Sequence, residues 1–291
     1  MTDSTPAHRT PAAPRPIVVT STSRAADAGF RTLADLAGIA ATLDVDYRIV
    51  GGHMVTLLVA LHDVTEQVPL RETADADFAA LPTVIADPRL PAALLERGYR
   101  PREAANRFTR DFTDTQGNLS LVIDILAPSY LGGLVPNQRH GELVVDEVPG
   151  LALALNRPPE LLDVEVRLTT AEDLRMRLAL PDVTSALCLK AFAYRGRFAA
   201  KDAVDLWRLL NAAHASGLHA ADWLDQGYRA SSRRDPAQVF RHTRGCGPCS
   251  NVRARRRSHP HAGAGAADRQ SGLTTRRRRT RSEDRHPRSV R

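Results

Sequence analysis

The sequence predicts an α+β fold: a mixed β-sheet flanked by helices, then a helical C-terminal region and a disordered basic tail. Three observations predict it. Short period-two segments alternate with amphipathic helical stretches up to about residue 180, the apolar spacing turns helical from Pro181, and all apolar periodicity stops after about Phe240. The boundaries that follow are a flexible leader over 1–23, an α/β core over 24–180, a helical region over 181–232 and an Arg-rich tail over 233–291.

The elements come in this order. MTDSTPAHRTPAAPRP is rich in Pro, Thr and Ala and reads as a flexible start. RAADAGFRTLADLAGIAATL, Arg24 to Leu43, sets Phe30, Leu33, Leu36 and Ile39 at helical spacing. DYRIV is a short strand ending at Gly51-Gly52, and HMVTLLVALHD is a helix that starts directly after the glycines. VTEQVPLRETA is a loop, ADADFAA a strand, and PRLPAALLERGY a helix stopped by Gly98. RFTRDFTD and LSLVIDILAP are strands joined by the turn-forming TQGN. ELVVDEV, LALAL, DVEVRLTT and RMRLAL also read as strands. DVTSALCLKAFAYRG and FAAKDAVDLWRLLNAAHASG read as two helices separated by Gly196, with LHAADWLDQGYRA as a candidate third.

A hydrophobic fraction of 43% in 291 residues is enough for a substantial core. The net charge of +7 is unevenly spread: residues 241–291 hold 15 Arg, no Lys and 3 acidic residues, hence +12, so the other 240 residues carry −5. The N-terminus lacks the apolar run of a signal peptide, and no stretch is long and apolar enough to span a bilayer. Three cysteines give no disulfide framework. A cytoplasmic protein without a membrane partner is the expectation. Only two of the 40 basic residues are lysines, Lys190 and Lys201, which marks both in a chain where Arg otherwise supplies positive charge.

The chemistry centres on RETADADF. On an extended strand, residues two apart point to one side about 6.6 Å apart, so Asp75 and Asp77 share a face. Asp124, between Ile123 and Ile125, is a charge inside an apolar strand, and a lone buried carboxylate is costly unless paired or bound to a metal. Three carboxylates converging from neighbouring strands would suit divalent ions for phosphoryl or nucleotidyl transfer. Gly51-Gly52 open a helix whose N–H groups suit phosphate, and Lys190 is a candidate counter-charge. Asp-x-Asp alone says little, since Asp44-Val45-Asp46 repeats it.

Together GGHMVTLL, RETADADF, LVIDIL and LKAFAYRGRFAAKDAVDLWRLL resemble the AbiEii-type nucleotidyltransferase-like proteins of the DNA polymerase beta-like nucleotidyltransferase superfamily, over roughly Asp46 to Leu210. The helical motif is matched by Lys190, Ala193, Lys201, Asp202, Asp205 and Leu206, with Arg195 at an altered gap. The resemblance implies a nucleotidyltransferase-type sheet and an enzyme moving NMP from an NTP to an acceptor hydroxyl on tRNA, protein or a small molecule, releasing pyrophosphate. It implies Mg²⁺ or Mn²⁺ on Asp75 and Asp77, with Asp124 completing the site and activating the hydroxyl. Gly51, Gly52 and Lys190 would hold the nucleotide, with Asp202 and Asp205 as further candidates on that side. It also implies a toxin–antitoxin setting with a cognate antitoxin. Two departures stand out: His53 occupies a position where a hydroxyl residue is usual, and the gap from Gly52 to Asp75 is long.

Other signals have plainer readings. Asp202 and Asp205 lie one turn apart and suit pairing with Lys201, Arg208 or Arg195. Trp207 and Trp223 read as core. Cys246-Gly-Pro-Cys249 lacks both a βαβ context and a zinc pattern. The tail is able to bind RNA phosphates, which supports an alternative function as a non-catalytic RNA- or protein-binding module. Its composition also reads like an altered or out-of-frame C-terminus.

Overall fold

The computed structural model describes residues 16–68, 71–102 and 106–219. The proline-rich start, the candidate third helix beyond His219, Trp223, the CGPC motif and the Arg-rich tail lie outside the described residues.

The chain begins with β1 (Ile17–Thr20), α1 (Arg24–Leu43), β2 (Arg48–Val50), α2 (Gly51–Leu61) and β3 (Asp75–Ala79). Then come α3 (Pro82–Ile85), α4 (Arg89–Glu96), β4 (Arg100–Pro101), β5 (Arg107–Asp114) and β6 (Gly117–Ser129). The rest is β7 (Val135–His140), β8 (Leu143–Pro149), α5 (Leu151–Asn156), β9 (Glu160–Arg167), β10 (Asp173–Leu180), α6 (Val183–Arg197) and α7 (Ala200–Ala215).

The larger sheet is mixed. It runs β2-β3-β6-β5-β4, with β8 also paired to β6 and β7 paired to β8. Its centre is β6, parallel to β3 on one side, with antiparallel β5 and then parallel β8 on the other. A smaller sheet runs β1-β9-β10. Both sheets need cover, and α1 supplies it against β3, β6 and β10. Ser23 caps α1 by accepting from the Ala26 N–H, and Asp44 closes it in the left-handed region. Phe30, Leu33, Leu36 and Ile39 form its buried stripe, as their spacing requires.

Several features differ from the sequence reading. LALAL is the helix α5, not a strand: Leu and Ala are good helix formers without β-branching, and Leu151, Ala154 and Leu155 are its buried i, i+3, i+4 set. Gly150, at φ 87°, turns the chain into it. The break between the last two helices falls at Phe198 in the left-handed region, two residues past Gly196, which is itself helical. Strand β1 lies within the stretch read as leader, paired in parallel with β9. Trp207 is not core: it is 46% exposed on α7.

Candidate active site

The register of two parallel strands places the carboxylates. Asp77 on β3 is the direct partner of Asp124 on β6, and Asp75 pairs with Val122. Asp75, Asp77 and Asp124 therefore share one face, while Ala76, Phe78, Ile123 and Ile125 are buried on the other. On the far side of β3, Val50 partners Asp77, so Gly51 arrives beside that carboxylate. All three aspartates and both glycines line one cleft of about 360 Å³.

The glycines are required by protein side chains. A Cβ on Gly51, which has φ +70°, would lie 1.7 Å from Asp77 Oδ2. A Cβ on Gly52 would lie 2.3 Å from Thr73 Oγ1 and 2.9 Å from an Arg71 guanidinium nitrogen. The space over α2's first turn is thus filled by the chain leading into β3. His53 turns away: its ring lies 5.3 Å from Phe30, with Nε2 against Gly29, and burial lowers its pKa to about 4, so it is neutral.

Lys190, Arg71, Arg197 and Lys201 also border the cleft. Lys190 Nζ lies 2.8 Å from Asp205 Oδ2, and Arg71 donates to the same oxygen at 2.6 Å. Arg197 grips both oxygens of Asp202 at 2.5 and 2.7 Å. Burial pulls the Asp202 carboxyl upward, but the Arg197 hydrogen bonds together with the charges of Arg197, Lys190 and Lys201 outweigh it and hold it below the ordinary value. Asp202 and Asp205 are fully buried and stand behind the cleft wall, where they position three of its cations. Their partners are Arg197, Lys190 and Arg71, with Arg208 3.8 Å from Asp205, rather than the Lys201 and Arg195 that sequence spacing offered.

A divalent cation suits this donor set in chemistry: hard carboxylate oxygens on one face, lining a cleft of about 360 Å³. Among the described residues, no three His, Cys, Asp or Glu side chains are gathered as a ready metal cage. Arg107, directly across from Asp124 on β5, holds both Asp124 oxygens at 2.8 and 2.7 Å and stands 3.6 Å from Asp75. Asp77 is left among like charges: burial, with Asp75 and Asp124 alongside, pushes its carboxyl up to about 7 despite Lys190 and Arg197. A cation between Asp75 and Asp77 would relieve that repulsion.

Sequence reasoning missed Arg71, Thr73, Arg107 and Arg197. A signal for two of them exists: Arg71, Thr73, Asp75 and Asp77 are successive alternate residues, and all four reach the cleft.

Neither a family model nor a curated protein matches the sequence. Among solved structures the chain is similar to an antigenic nucleotidyltransferase-like protein from Paracoccidioides brasiliensis, at 13% identity and TM-score 0.40 over 72% of this chain and 95% of that one. It is similar also to the antibiotic-resistance factor ANT(2'')-Ia, at 12% identity and TM-score 0.35 over 74% of this chain and 96% of that one. At these values nothing about residues or chemistry passes from either protein to this chain. No helix among the described residues is long and apolar enough to cross a membrane.

Proposed function

We propose that the protein is a metal-dependent nucleotidyltransferase that moves NMP from an NTP to an acceptor hydroxyl. The observation that carries this reading is a single cleft lined by three carboxylates, a helix N-terminus and fixed cations. Carboxylates alone would fit any hydrolase, and cations alone would fit any anion. Their apposition fits a metal-bound polyphosphate.

Asp75 and Asp77 would hold Mg²⁺ or Mn²⁺, which supplies charge neutralisation on the phosphates. Lys190, Arg71 and Arg197 would bind and orient the triphosphate, in the cleft that Gly51 and Gly52 at the start of α2 also border. The acceptor oxygen attacks the α-phosphorus as the bond to the β-phosphate oxygen breaks, and pyrophosphate leaves. The hydroxyl proton passes to Asp124, the role that the motif resemblance gives it. Arg107 occupies both Asp124 oxygens and must release one for this role. On the same motif resemblance, to AbiEii-type proteins, the setting would be a toxin–antitoxin pair, with tRNA or a protein as acceptor and a cognate antitoxin as partner. The Arg107–Asp124 pairing favours a second reading, a non-catalytic RNA- or protein-binding module on this fold.

One experiment separates them. The full chain is incubated with each labelled NTP, divalent cation, and total cellular RNA or protein. The expected outcome is labelled acceptor with wild type and none with Asp75→Ala plus Asp77→Ala at unchanged circular dichroism. Labelling that survives the double change, or its absence in wild type under every NTP, rejects the enzymatic reading.

A further inference from the structure

The phosphate cradle has a component outside the motifs. Helix α2 has eleven residues, and its N-cap, Val50, makes no side-chain hydrogen bond to the first turn. The motif resemblance gives a hydroxyl residue at position 53, but His53 stands there and is buried against α1. The hydroxyl is found elsewhere. Thr73, two residues ahead of Asp75, borders the cleft and packs its Oγ1 over Gly52, in the space that a side chain at 52 would fill. Thr73 is 8% exposed, and its Oγ1 is a buried polar atom with no hydrogen-bond partner. Buried hydroxyls are rarely left so, because the lost hydrogen bond to water is not replaced. Beside it stands Arg71, immobilised by Asp205.

We infer that Thr73 donates a hydrogen bond to a phosphate oxygen of the bound polyphosphate, taking the place of the hydroxyl absent at position 53. The inference rests on the nucleotide reading above and adds to it a positioning residue and a preference for the polyphosphate portion of the ligand. The hydroxyl gains the partner it lacks, and the phosphate gains a neutral donor that approaches α2 closely because residue 52 has no side chain. Thr73 takes no part in proton transfer. Its loss therefore weakens binding more than turnover.

The test is calorimetric titration of the full chain with inorganic tripolyphosphate in excess Mg²⁺. The variants are Thr73→Val, which keeps shape and removes the hydroxyl, and Thr73→Ser, which keeps the hydroxyl and removes the methyl. Thr73→Val is expected to weaken tripolyphosphate about 10- to 100-fold, the range for a hydrogen bond to a charged group, and Thr73→Ser less than about threefold. KM for the NTP is expected to rise with Thr73→Val while kcat holds. Equal affinity in Thr73→Val and wild type overturns the inference and leaves the nucleotide reading standing. Equal losses in Thr73→Ser and Thr73→Val assign the effect to packing and also overturn it. Wild type that binds neither tripolyphosphate nor any NTP overturns both. Should Thr73→Val not fold, Thr73→Ala carries the same comparison against Thr73→Ser.

Discussion

Replacing Gly51 by alanine tests the geometry of the site without replacing a charged group. Two costs follow from the structure. Gly51 has φ +70°, and holding an L-residue in the left-handed region costs about 1–2 kcal/mol. The new Cβ would also lie 1.7 Å from Asp77 Oδ2 and 2.7 Å from its Cγ. Ordinary carbon–oxygen contact needs roughly twice the shorter distance, so the carboxylate must move by more than about 1 Å, and a displacement of that size costs about 10²-fold in turnover. For a body of this size each kcal/mol lowers Tm by about 2–4 °C. The backbone cost alone is expected to lower Tm by about 2–8 °C and the contact with Asp77 to lower it further, with a far larger loss of NMP transfer. The decisive measurement repeats the change in an Asp77→Ala background. There the clash is gone, only the backbone cost remains, and the difference between backgrounds isolates the Gly51–Asp77 contact. Equal Tm losses in both backgrounds, or Gly51→Ala transferring NMP within about threefold of wild type, would refute the reasoning.

Two further predictions concern charge. Asp77 has its folded pKa raised from an unfolded value near 3.8 to about 7, so the folded state binds its proton more tightly. Its penalty is absent below the unfolded pKa, grows as pH rises through the window between the two values, and is complete above about 7. Metal-free wild type is thus expected to lose stability relative to Asp77→Asn between pH 4 and 7 in urea titrations, and parallel profiles would contradict the raised pKa. Asp205 is fully buried and holds Lys190 and Arg71. Asp205→Asn strands those cations and is expected to cost about 3–5 kcal/mol in urea unfolding, with weaker tripolyphosphate binding; a loss under about 0.5 kcal/mol would show that Asp205 does not anchor them.

The legible part of the fold was the part written in short-range pattern. Helix α1 and the strand carrying Asp75 and Asp77 show in their spacing, because one face of each is buried. Asp124 is conspicuous as a charge within an apolar run. LALAL misled because five residues alternating Leu and Ala satisfy period two as readily as a single helical turn. Strand β1, four residues long, is defined by its partner β9 more than by its own sequence. Arg107 was invisible because its meaning comes from register: only the pairing of β5 with β6 sets it against Asp124. Arg71 and Arg197 were hidden by composition, in a chain where 38 of 40 basic residues (40 − 2 lysines) are Arg and one more arginine draws no notice. Asp202 and Asp205 were visible as a pair on one helix face, but the long side chains they hold come from α6 and from the approach to β3.

The two buried aspartates behind the cleft have a consequence for when entropy is lost. A lysine or arginine on an open surface samples many rotamers, and a ligand that immobilises it bears about 0.5–1.5 kcal/mol each. Lys190, Arg71 and Arg197 are already immobilised by Asp205 and Asp202 before any anion arrives. For three side chains, that is roughly 2–4 kcal/mol charged to folding instead of binding, equivalent to about 10- to 10³-fold in affinity for a polyanion. The helical pair α6 and α7 therefore acts less as a lid than as a jig, fixing these cations before any ligand is met.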